Sequence, residues 1–289
     1  MQAGKIGFTK QKRVKLYYPV NDKIEKGPCV QTESGQFTVV TLADRPGMDD
    51  LFWPEKEKIW PEFMFHDLYA RENWDYLAER FAEHQLYLLD DAGEPVAVVQ
   101  TIPCFWDGTL SGFPIGWADS LVRGVQDQEK GKTPNTLSAL EISIRSDAQG
   151  RGVSYEAVKA VRAHAEAWGF QAVIVAVRPS LKERYPITPM ERYVRWQRED
   201  NTPFDPWLRV HWRCGGEILH VAHPSMVIEG SAQEWEAWTG MAFPESGEYV
   251  VPGALVPVQI DRVMNMGRYV EPNVWVHHPI TTARLGPKI

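Results

Sequence analysis

The sequence predicts an α/β protein of the α+β kind: a mixed, twisted central sheet flanked by helices, with long insertions and a β-rich C-terminal extension. Three observations predict it. Residues 137–177, LSALEISIRSDAQGRGVSYEAVKAVRAHAEAWGFQAVIVAV, read as strand, glycine turn, helix, strand. Two apolar runs, 85–89 and 95–101, flank Asp90-Asp91-Ala92-Gly93, the residue types of a hairpin turn. Residues 249–276 are rich in Val, Tyr, Pro and Gly, the composition of strands joined by turns.

The remaining elements follow in chain order. Residues 1–36 are polar, with Pro19, Gly27, Pro28 and Gly35, and read as an N-terminal arm with one short strand at 14–18. No linker divides residues 37–289, which are expected to form one elaborated domain. A strand is expected at 37–42 and a short helix within 48–60, limited by Pro54. A longer helix is expected over 62–84, because Ala70, Trp74, Leu77 and Phe81 make an apolar stripe. Segment 102–135 is long for a connection and predicts a loop plus a helix near 117–130. It reads either as a surface insertion or, given Phe105, Trp106, Phe113 and Trp117, as a lid or pocket wall. Thr188-Pro189-Met190-Glu191 has the capping-box pattern and predicts a helix to about 199. Asp205-Pro206 opens a second helix that Gly215-Gly216 ends. A strand at 217–222 follows, and Ser231-Ala232-Gln233-Glu234 caps a helix that Gly240 stops.

Composition narrows the function. The net charge of −7 and pI near 5.7 disfavour a general nucleic-acid binder. Cys29, Cys104 and Cys214 are odd in number and widely spaced, so neither a disulfide framework nor a CxxC metal site is expected. Lys5, Lys10, Lys12, Arg13 and Lys15 interrupt any leader-like apolar run, and no run of eighteen apolar residues occurs. The expectation is a cytoplasmic monomer or homodimer with no membrane association.

The chemistry centres on Gln149-Gly150-Arg151-Gly152-Val153-Ser154. Its two glycines allow the backbone to turn sharply into a helix whose stripe is Val158, Val161, Ala165 and Trp168. A glycine-opened helix N-terminus offers free N–H groups and positive dipole to a phosphate. A Walker loop would need Gly-Lys-Ser/Thr, and a dinucleotide fingerprint would need a third glycine where Tyr155 stands.

Gln149-x-x-Gly152-x-Ser154 resembles the acyl-CoA signature of the GNAT acyltransferases, Q/R-x-x-G-x-G/A, with Ser154 replacing the usual Gly or Ala. The resemblance covers 37–177 most clearly and implies the GNAT element order β-α-α-β-β-β-α-β. It further implies acetyl-CoA or another acyl-CoA as co-substrate. Ile142, Ser143 and Ile144 of the central strand, with Gln149, Gly150, Arg151, Gly152, Val153 and Ser154, would hold it. The acyl group would pass directly to an amine of a small-molecule acceptor, with no metal. Where the family's tyrosine acid would stand, four residues before a glycine, this chain has His211, which a helix C-terminus would favour as the cation. Glu141, on the central strand, is the candidate base, with Ile142 and Ile144 on the opposite strand face. Two other readings keep the fold: a carrier-protein or aminoacyl-tRNA donor, and a CoA-binding protein without turnover. His220-x-x-His223 makes a poor metal pair, His277-His278 reads as a surface pair, and Cys214 as a small core residue.

Overall fold

A computed structural model describes residues 37–280, so the expected arm and its strand at 14–18 lie outside the described residues. Strand β1 (Thr38–Thr41) leads to α1 (Met48–Ile59), which runs through Pro54 rather than stopping there. The carbonyl that Pro54 cannot serve belongs to Asp50, an exposed residue where water can take its place. Phe52 and Lys56, four apart, form the buried face of α1.

The single helix expected over 62–84 is broken. A 3₁₀ turn (Glu62–His66) precedes α2 (Leu68–Asn73) and α3 (Asp75–Arg80). The break lies at Asp67, which adopts extended backbone and accepts a hydrogen bond from the Ala70 amide. A local side-chain cap here outcompetes helix continuation.

The hairpin forms as expected, with β2 (Leu86–Leu89) and β3 (Pro95–Cys104) buried at every position. Then come α4 (Trp117–Glu129), β4 (Thr136–Ile144), α5 (Val153–Ala167) and β5 (Ala172–Val177). Gly169 ends α5 in the left-handed conformation, and the Phe170 amide bonds back to the Ala165 carbonyl. The helix expected over 188–199 shrinks to α6 (Met190–Tyr193), with no side-chain cap; beyond it Tyr185, Tyr193, Trp196 and Phe204 pack ring against ring. Helix α7 (Pro206–Arg213) is capped by Asp205, which accepts from the Trp207 and Leu208 amides. Strand β6 (Glu217–Gly230) is longer than expected, and α8 (Ala232–Thr239) carries the full Ser231/Glu234 capping box. Strands β7 (Gly247–Tyr249), β8 (Val258–Asp261) and β9 (Met266–Pro279) complete the C-terminal half.

One nine-stranded sheet runs in the order β1-β2-β3-β4-β5-β9-β8-β7, with β6 on the other edge of β9. The pair β4–β5 is parallel and every other pair is antiparallel. That parallel pair holds only from Thr136↔Ala172 to Ala139↔Val175, although both strands continue. Across β3–β4, Gln100 faces Glu141 while Thr101 faces Ala139, so Leu140 is an extra, bulged residue. A bulge bends and twists its strand. Here it coincides with the end of β4–β5 pairing, and the two strands part. Helix α5 packs on one face of the sheet through Ala157, Val161 and Ala165, and α4 packs on the other through Leu121 and Val125.

Candidate active site

Where β4 and β5 part, the structure opens a cavity of about 1030 Å³. Of the residues expected to hold a donor, Ile142, Ser143, Ile144, Gln149, Gly150, Val153 and Ser154 line it. Arg151 and Gly152 belong to the same turn without lining the cavity. Gly150 and Gly152 have φ of +74° and +83°, and a Cβ on either would meet nothing within 4 Å. The glycines are therefore required by the turn's conformation, not by crowding. The turn leaves the first amides of the fifteen-residue α5 open to an anion.

Glu141 faces the cavity from the bulge. Lys56 of α1 places its Nζ 2.8 Å from Oε2, and the Ser143 hydroxyl donates to Oε1 at 2.6 Å. The Trp60 indole donates to that hydroxyl at 2.9 Å. Ile142 and Ile144 turn the other way, against the α5 side of the core, as strand alternation predicts. Both members of the ion pair are nearly withdrawn from water, with side-chain exposures of 5% and 8%. The Lys56 ammonium also lies 5.3 Å from the Trp74 ring centre.

A second buried polar chain borders the cavity. Arg178, just past β5, pairs with Glu271 at 3.0 Å and also donates to the Gly253 carbonyl. Tyr269 and Asn273 donate to the same carboxylate at 2.7 and 2.9 Å. Trp53, Trp60, Trp74 and Trp117 supply the aromatic walls, so segment 102–135 contributes to the pocket through Trp117 rather than being a wholly solvated insertion. Sequence reasoning missed Lys56, Trp60, Arg178 and Glu271. The only local hint was the crowding of tryptophans among the chain's twelve.

His211 is not at the cavity, which α7 lines with Pro206, Trp207 and Val210. Its ring is wholly buried, and Nδ1 lies 3.0 Å from Nε2 of His278. Arg162 Nη1 lies 3.1 Å from His278 Nδ1. A guanidinium can only donate, so His278 accepts at Nδ1 and carries its proton on Nε2. His278 then donates to His211, whose own proton sits on Nε2, an atom with no partner. Burial, then the neighbouring His278, hold the His211 pKa well below its usual 6.5. The expected cation near the helix C-terminus is thus corrected: desolvation outweighs the dipole. The expected surface pair His277-His278 is corrected too, since His278 is buried.

A second buried pair, His84 Nδ1 and His164 Nε2, stands 2.9 Å apart. Burial first, and His164 second, lower His84 to about 3; burial lowers His164 to about 4 and His278 to about 3. These folded values lie below the unfolded 6.5, so the stability from neutral pairs is full above pH 6.5. It is lost as pH falls through 6.5 toward 4–3. Each histidine that stays neutral contributes a loss of about 2 kcal/mol between pH 7.5 and 5. Denaturant unfolding at pH 7.5 and 5 should show it, and His211→Ala should reduce the acid loss while leaving turnover at pH 7.5 unchanged. An acid loss identical to the parent's would show that His211 does not titrate on unfolding.

Among the described residues no group of three His, Cys, Asp or Glu side chains is placed to hold a metal ion, and no helix is long and apolar enough to cross a membrane.

Comparison with known proteins bears on the family and the fold. Residues 45–186 match the acetyltransferase (GNAT) family. Over 275 residues the chain is 35% identical to the arginine N-acetyltransferase avaD of Aspergillus versicolor, covering 84% of this chain and 94% of that protein. The fold is similar to the loading GNATL domain of CurA from Lyngbya majuscula (TM-score 0.53, 14% identity, 84% of this chain and 98% of that one). It is also similar to the GphF GNAT-like decarboxylase in complex with isobutyryl-CoA (TM-score 0.51, 15% identity, 84% and 99%).

Proposed function

The chain belongs to the GNAT acetyltransferase family, and on that premise we propose that it moves the acetyl group of acetyl-CoA to a nitrogen of a small cationic acceptor of the arginine class, with Glu141 as the base. The observation that carries this reading is one continuous cavity joining the 149–154 turn to the Glu141 carboxylate. The similarity to an arginine N-acetyltransferase supports the acceptor class. So do the walls: Asp75, Glu141, Glu183 and Glu271 outnumber Lys56, Arg71 and Arg178, and the indoles give a guanidinium flat faces to stack on.

The donor pyrophosphate lies on the open amides at the start of α5, and its arm runs between the parted ends of β4 and β5. The thioester carbonyl rests against a β4 amide past the bulge. The acceptor enters from the α1 and α4 side. A neutral nitrogen attacks the thioester carbon, the new C–N bond forms, the C–S bond breaks, and CoA leaves as the thiolate. Glu141 takes the nitrogen's proton, directly at a free lone pair or through the Ser143 hydroxyl already bonded to Oε1. A thiol of ordinary pKa near 8.5 leaves without an acid, so α7 need not supply one. His211 is a packing residue in this reading.

The test is a panel of arginine, agmatine, ornithine, lysine and spermidine with acetyl-CoA, followed by free-thiol release and product mass. Acetylated arginine formed at the highest kcat/KM, located by fragmentation to one nitrogen, is the expected result. Equal rates across the panel, or none, would remove the arginine class as acceptor.

A further inference from the structure

Trp117 opens α4 and is held at three points. Its backbone amide donates to the Ser225 hydroxyl at 2.9 Å, and that hydroxyl donates to Asn273 Oδ1 at 2.5 Å. Its ring stacks on Trp74 at 5.9 Å and 20°. Its indole N–H donates to the Leu140 carbonyl at 2.7 Å. The residue before it, Gly116, is pressed onto β6: a Cβ there would lie 2.3 Å from the Ser225 Cα, so no larger residue lets α4 start this close.

The third contact falls at a decisive place. Leu140 is the bulged residue of β4, without a partner on β3, and β4–β5 pairing stops one residue earlier. Leu140 thus has no register partner on β3 or β5, and its carbonyl, where the indole meets it, is buried. A buried carbonyl left unpaired costs about 1–3 kcal/mol, and strand β4 could relieve that by turning or by extending its pairing with β5. Either movement re-aims the next three residues, Glu141, Ile142 and Ser143, which carry the carboxylate, the strand amides and the hydroxyl of the reaction.

We infer that Trp117 is a positioning residue: its indole N–H, by capping the Leu140 carbonyl, holds the bulge open and fixes the aim of the β4 segment that performs the transfer. The inference rests on the reading of β4 as the strand that carries this chemistry. It also gives insertion 102–135 a task, since the helix in that insertion delivers the cap.

The experiment compares Trp117→Phe, which keeps an aromatic ring and removes the donor, with Leu121→Ala. The latter removes a fully buried α4 side chain of the same core cluster that makes no hydrogen bond to β4. Trp117→Phe should lower kcat by about 10–10²-fold, the scale of a misplacement near 1 Å, with KM for acetyl-CoA within about twofold of the parent. Amide exchange across 139–144 should quicken in the same variant. Leu121→Ala should melt at lower temperature yet keep the parent kcat when assayed well below its transition. A Trp117→Phe kcat no lower than that of Leu121→Ala overturns the inference. So does a lowered kcat with unchanged exchange at 139–144, which would make the indole a direct substrate contact. If Trp117→Phe does not fold, Ser225→Ala, which releases the helix start, should lower kcat in the same direction, and a parent kcat there overturns it. Should Glu141→Gln keep the parent kcat while Trp117→Phe loses it, the base assignment fails and the positioning role stands.

Discussion

Glu141→Gln should lower kcat by about 10²–10³-fold at saturating acetyl-CoA, within the usual range for losing a general base. The change is nearly isosteric. Glutamine can still accept from Lys56 or Ser143, so the hydrogen-bond frame at the bulge largely persists. The lost property is the ability to take a proton. Acetyl-CoA affinity should hardly move, because the 149–154 turn is untouched. Stability will fall, since Lys56 becomes a buried ammonium without its counter-charge, and breaking a buried pair typically costs about 3–5 kcal/mol. That loss could be mistaken for a catalytic one. Lys56→Met in the same chain separates the two: the double variant buries no lone charge and should recover most of the melting temperature, but none of the rate. Recovery of both stability and kcat in the double variant would mean that Glu141 serves only to neutralise Lys56.

The contrast between Glu141 and His211 shows which parts of this site are legible in a sequence. The strand–turn–helix–strand unit is local: glycine positions, an apolar stripe and a buried run all lie within 137–177, and the structure follows them to within a residue or two. Glu141 is the acidic side chain of the central strand, where the family resemblance implies a base, and strand alternation puts it opposite Ile142 and Ile144. Its partner Lys56 stands 85 residues earlier, and no local pattern announces that pairing. His211 was reached by counting back from a glycine, which fixes chain position but not helix face. On α7 the cavity takes Trp207 and Val210, and the next position points into the core against His278. Alternation along β9 would have found His278, since one of two adjacent strand residues must face inward. The break at Asp67 was hidden for a different reason. The apolar stripe from Ala70 to Phe81 keeps helical spacing, while one carboxylate bonding the Ala70 amide is enough to restart the helix.

Gly152→Asp should weaken CoA binding by about 10²-fold or more while leaving the protein folded. Both halves follow from the same geometry. Gly152 is the N-cap of α5 at φ +83°, and a Cβ built there meets nothing within 4 Å. Aspartate is among the side chains best able to tolerate left-handed backbone, and its carboxylate is favoured by the positive end of a helix. The folding cost is therefore about 1–2 kcal/mol. The binding cost is larger, because the new charge would compete for the α5 N–H groups proposed to hold the pyrophosphate. Two like charges about 4 Å apart repel by about 1 kcal/mol in water and about 4 kcal/mol near a protein surface. Pyrophosphate carries more than one charge, so a loss near 3 kcal/mol, or about 10²-fold, is a modest expectation. Gly152→Asn controls for shape: it has the same size and backbone tolerance without the charge, and should bind CoA within about tenfold of the parent. Calorimetry with CoA on all three proteins reads the difference, and circular dichroism checks the fold. Equal affinity in the aspartate variant would move the phosphate site away from the α5 N-terminus. An equal loss in both variants would show that the turn's backbone geometry, rather than its electrostatics, holds the donor.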